Sequence, residues 1–172
     1  FRELDDALCH LRLEELQIGT VTLHVKGDPA VALATDRVLA AGLDAQGRGR
    51  AGEDWFVREV RLLVARVLRR LDMTARSLFA VVDEGSAFAG TLLELALAAD
   101  RTYVLNDADH PVTMAASPMN AGAYPMGNAL TRLQTRFLGE PGKVAEVLAE
   151  AQPFDAERAD ELGLCTVAPD SI

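Results

Sequence analysis

An α/β fold built on a parallel sheet is predicted by three observations in this sequence. First, SLFAVV (77–82), the loop DEGSAFAG, the segment TLLELALAAD and then RTYVL (101–105) follow one another without interruption. The first and last are short apolar runs of strand type, and the segment between them is apolar on nearly every side, as a buried helix is. Strand, glycine loop, buried helix and strand make a βαβ unit, whose two strands lie parallel with a right-handed crossover. Second, IGTVTLHV (18–25) alternates apolar and polar residues with β-branched enrichment, which reads as a further strand. Third, DWFVREVRLLVARVLRRLD (54–72) is the clearest amphipathic helix in the chain. Its 172 residues fit one domain, and with 49% apolar residues a real core is available.

The remaining elements follow in order. Gly27-Asp28-Pro29 punctuates the chain after the first strand, and VALATDRVLAA (31–41) shows no clean period. Residues 42–52 are polar and glycine-rich, the composition of a mobile surface loop. In the long helix Phe56, Val60, Leu63, Val67 and Leu71 form one stripe, which leaves Arg58, Arg61 and Arg69 on a solvated face. Residues 106–127 form a long loop with Met114, Met119, Tyr124, Pro125 and Met126 along it, suited either to a pocket or interface or to covering the core. Helices are expected at about 128–138, closed by Gly139, and at about 143–151. Asp155 caps a short helix that ends near Leu162, with Gly163 just past its end. A last short strand covers Cys165–Ala168, and no internal repeat is visible.

Composition excludes several function classes. A net charge of −9 argues against a nucleic-acid partner and against a polybasic membrane-surface protein. The longest apolar run contains Glu94 and is far short of the roughly 20 residues of a membrane-spanning helix. Cys9 and Cys165 lack any framework spacing, so reduced thiols in a cytoplasmic protein are expected. The first residue is Phe1, and no charged segment leads into an apolar one, so the expectation is a piece of a longer chain.

Motifs narrow the chemistry. GSAFAG (85–90) has the glycine spacing of half a phosphate loop, but Thr91 and Leu92 stand where Lys and Ser/Thr are needed. Ser86 is flanked by Gly85 and Ala87, with Glu84 and Phe88 where a nucleophile elbow needs glycines. His10, His24 and His110 show no ligand spacing, and no metal is expected. Glu94 is the carboxylate that stands out, and two readings fit it. Burial would raise its pKa and make it a proton carrier. Alternatively Thr91-Leu-Leu-Glu94 is a capping box, the commoner use of this spacing.

A family resemblance bears on the rest. VVDEGSAFAGTLLELALAADRTYVL is similar to the signature of the crotonase (enoyl-CoA hydratase) superfamily, and PFDAERADELGLCTVAP resembles its segment before the last core strand. More narrowly, RSLFAVV, FAGTLLELALAADR and SPMNAGAYPMGNALTRLQTRFLG resemble the second half of benzoyl-CoA-dihydrodiol lyases, long chains with two crotonase-like halves. The resemblance spans essentially the whole chain. It implies a crotonase-like ββα spiral lacking the C-terminal helical cover, with 1–172 as one domain of a longer two-half enzyme. It also implies a homo-oligomer or a partner half-domain. The substrate it implies is an acyl-CoA thioester, with no cofactor because coenzyme A is part of that substrate, and the reaction is ring opening with release of formate.

The implied site residues are carried over position by position. Two backbone amides would hold the enolate oxygen, one at Thr91 beside Gly90 and one near Leu33, with Asp36 at the family's aspartate. The first family glutamate falls on Glu94. The second falls on Pro118, if Pro125 is the family's proline, so the acid–base pair is incomplete here and belongs to the other half. Two rival readings stand beside this one: a hydratase or isomerase with Glu94 as sole base, and a non-catalytic assembly domain.

Overall fold

The computed structural model describes residues 1–44, 47–150 and 152–171. Three parallel strands lie in the order β1 (Thr20–Leu23), β2 (Ser77–Val82) and β3 (Arg101–Val104). Thr20 pairs with Ser77 and Leu23 with Ala80, while Phe79 pairs with Arg101 and Val82 with Val104. β2 is central and buries Leu78, Ala80, Val81 and Val82, which explains its continuous apolar run. The expected last strand reduces to one parallel bridge, Tyr103 to Val167, beside β3.

Four helices fill the chain before and within the crossovers. α1 (Arg2–Leu13), in a stretch without a clear sequence signal, buries Leu8 and ties Asp5 to Arg70 at 2.6 Å. α2 (Pro29–Ala40) occupies the run that has no clean period. Its start is nevertheless well made: Asp28 accepts the Ala30 amide at 2.8 Å, and Pro29 takes the first helical position. α3 (Trp55–Asp72) begins where Asp54 accepts the amides of Phe56 and Val57, and it buries Val64, Val67, Leu68 and Leu71. α4 (Leu93–Leu97) is buried at every residue and follows a 3₁₀ turn at Gly90–Leu92.

Two expectations for α3 are corrected. Phe56 is 61% exposed and pairs edge-to-face with the likewise exposed Trp55 in the first turn, outside the buried stripe. Arg61 is buried, not solvated: its guanidinium bonds Glu53 at 2.5 Å and the Leu39 carbonyl, at the end of α2, at 3.2 Å.

Of the glycine-rich loop, residues 45 and 46 lie outside the described residues. The rest is bonded, not loose, with Asp44 N–H on the Arg48 carbonyl and Arg50 N–H on the Gly42 carbonyl, both at 2.8 Å. The helix expected over 128–138 shortens to α5 (Arg132–Arg136), because Ala129 takes a positive φ and Thr131 forms a capping box with Gln134. α6 (Gly142–Ala149) and α7 (Ala156–Glu161) follow, the latter capped by Asp155, with Gly163 at φ 73° beyond it. Met114, Met119 and Tyr124 of the 106–127 segment sit in the core, so packing is what these three residues do there.

Candidate functional site

The site forms where α2 meets the 3₁₀ turn at Gly90–Leu92. Asp36 comes from α2, Thr91 from the turn, and Ser117 from the start of a second 3₁₀ turn at Pro118–Ala121. Asp36 is 3% exposed and takes three hydrogen bonds. The Thr91 amide donates to Oδ2 at 2.8 Å, the Thr91 hydroxyl to Oδ1 at 2.5 Å, and the Ser117 hydroxyl to Oδ2 at 2.5 Å. Since the Thr91 proton points at Asp36, the Tyr124 hydroxyl is the donor in its 3.0 Å contact with Thr91. Burial raises the Asp36 pKa, and the bonds from Ser117 and Thr91 oppose that rise. Gly90 makes the approach possible: at φ 55°, a Cβ there would lie 1.9 Å from Asp36 Oδ2.

A second cluster lies deeper. Asn120 Nδ2 donates to Glu94 Oε1 at 2.7 Å and to the Gly90 carbonyl at 3.0 Å. Arg132 Nη1 donates to Glu94 Oε2 at 2.8 Å, while its Nε and Nη2 grip Asp72 at 2.9 and 2.7 Å. Burial raises the Glu94 carboxyl above the usual carboxylate range against the pull of Arg132 and Asn120, and Asp72 pushes it the same way as burial. The expected capping box does not form. Leu92, without a side-chain bond, caps α4, because the Thr91 hydroxyl is turned to Asp36 and Glu94 to Arg132.

The remaining expected positions fall differently. Leu33 is half-buried inside α2, where its amide belongs to the helix's own ladder and is not free to hold an oxyanion. Pro118 is exposed and opens its 3₁₀ turn. A carboxylate does stand beside that position, but it is Asp36, reached through the Ser117 hydroxyl. Asp36 also lines two cavities. One, of about 450 Å³, is walled by Val31, Ala32, Leu39, Val60 and Val64 and also meets Thr91. The other, of about 390 Å³, is lined by Leu33, Ala116, Ser117 and Pro118.

Sequence reasoning missed Ser117, Asn120, Arg132 and Asp72. Of the other site residues, Glu94 was marked by its apolar surroundings and Asp36 by the family resemblance. Both cysteines are free. Among the described residues no cluster of three His, Cys, Asp or Glu could hold a metal ion, and no helix is long and apolar enough to cross a membrane.

Comparison with known proteins bears on the fold. No protein-family model matches the chain. Over 172 residues, 99% of its length, it is 42% identical to the benzoyl-CoA-dihydrodiol lyase of Aromatoleum evansii. It spans 29% of that relative's length. Among solved structures, an enoyl-CoA hydratase from Bacillus halodurans matches with a TM-score of 0.65 and 18% identity, covering 99% of this chain and 62% of that one. Pseudomonas aeruginosa AtuE matches with a TM-score of 0.63 and 18% identity, covering 97% and 58%. At such identities the likeness is one of fold. The chain has the crotonase fold, and it spans about three fifths of these structures.

Proposed function

We propose that this chain is a crotonase-fold half of an enzyme of the benzoyl-CoA-dihydrodiol lyase type, and that it supports the assembly without carrying the proton chemistry. In this reading the whole enzyme acts in the cytoplasm on an oxygenated acyl-CoA thioester, opens the ring and releases formate. Coenzyme A arrives as part of the substrate, and a partner half or further copies complete the enzyme.

One observation carries the assignment of roles. The Thr91 amide, which would polarise a thioester carbonyl, is already bonded to Asp36 at 2.8 Å. An oxyanion hole needs a free donor aimed at the developing charge. The rival hydratase reading gains nothing from Glu94, both of whose oxygens are engaged.

Two assays test this. An enzyme that contains this chain with its partner half should release formate from an oxygenated benzoyl-CoA thioester, and absence of formate removes the lyase reading. The chain alone should not hydrate crotonyl-CoA at a useful rate, since each missing acid–base group typically removes a factor of ~10²–10⁴. Turnover at an ordinary enzyme's rate would overturn the supporting role.

A further inference from the structure

We infer that the Thr91 and Ser117 donors form a carboxylate-binding site that the chain fills with its own Asp36. All three donors come from loops outside α2: the Thr91 amide, the Thr91 hydroxyl and the Ser117 hydroxyl. Only the carboxylate arrives from the helix. The donors also have partners other than Asp36. The Tyr124 hydroxyl lies 3.0 Å from that of Thr91, while Ser117 sits in a capping box in which its N–H meets Asn120 Oδ1 at 2.8 Å. Asn120 in turn bonds the Gly90 carbonyl, which joins the two loops into one frame. Gly90 leaves room for a planar anion where any side chain would collide with it. Asp36 already lines two cavities, so removing its carboxylate yields a slot of formate size that a small anion can reach.

If the acyl-thioester reading above holds, Asp36 occupies the place of a substrate's enolate oxygen. It then denies a thioester the Thr91 amide beside the neighbouring apolar cavity. The enolate place rests on the proposed function; the carboxylate site does not.

The experiment is chemical rescue. Asp36→Ala keeps a good helix former in α2 and vacates a formate-sized volume. Its melting temperature is followed against sodium formate, with sodium chloride at equal ionic strength as reference. We expect the variant to melt below the wild type in chloride, and formate to recover part of that loss along a saturable curve, as mass action requires of a ligand that binds only the folded state. The wild type and Asp36→Asn, which leave no vacancy, should not respond. If Asp36→Ala does not fold in chloride, the refolding yield in formate against chloride is the readout. Equal behaviour in the two salts, by either readout, overturns the inference. Calorimetric titration with butyryl-CoA separates the two claims. Binding by Asp36→Ala but not by the wild type supports the enolate place, whereas formate rescue without butyryl-CoA binding keeps the carboxylate site and removes the enolate place.

Discussion

Arg132 shows how a single residue organises this interior. It is 2% exposed, and its guanidinium is shared by Glu94 and Asp72. Removing one member of a buried charge cluster leaves its partners uncompensated, which costs far more than the cluster's net contribution to stability. Arg132→Ala should therefore lose about 3–5 kcal/mol in urea unfolding. Glu94→Gln keeps the shape and part of the bonding, so its loss should be smaller, roughly 1–3 kcal/mol. The reverse order would mean that Glu94 is not held by Arg132. Gly90 is the other residue whose identity is forced. Gly90→Ala must place a side chain at φ 55° and against Asp36. The backbone alone costs about 1–3 kcal/mol, and the collision adds to it. A melt indistinguishable from wild type would show that Asp36 does not approach this turn.

At the scale of elements, α2 and α3 place the site, and each is started by an aspartate. Asp54 receives two amides at the head of α3, at 2.9 and 3.0 Å. Asp54→Ala should cost about 1 kcal/mol, read as a lower denaturation midpoint with an unchanged slope. No change in midpoint would show that the first turn of α3 frays. Arg61 links the two helices by bonding the carbonyl of Leu39, which explains why an arginine on the expected polar face is buried. A helical period predicts which residues share a face. It does not predict that a neighbouring helix will end against the polar one.

For the whole molecule, the 106–127 segment is the informative test. It is pinned in two places: Met114 and Phe154 exchange both amide bonds, at 2.9 and 2.8 Å, and Ala115 bonds Phe88 and Gly90. Amide hydrogen exchange should therefore be slow at Met114, Ala115 and Phe154 without any ligand. Fast exchange at these amides would mean that the segment is not part of the folded core. The same segment carries Ser117, bonded to Asp36, and Asn120, bonded to the Gly90 carbonyl, so the site is complete only when this segment is folded.

Local pattern in the sequence was enough for the βαβ unit, the central apolar strand, α3 and the capped α7. Periodicity and caps act over a few residues and are written in consecutive positions. Asp28-Pro29 reads only as punctuation and the run behind it, rich in small residues, hides its period, so α2 was not legible. What only the tertiary structure decided is which polar groups meet. Thr91 and Asp36 are 55 positions apart, and Arg132 and Asp72 are 60 apart. A buried carboxylate must find donors, but nothing local says which loop supplies them. The capping-box spacing of Thr91 and Glu94 is therefore real in the sequence yet unused in the fold, because Asp36 and Arg132 offer both residues charged partners in the dry interior, where such bonds are strongest.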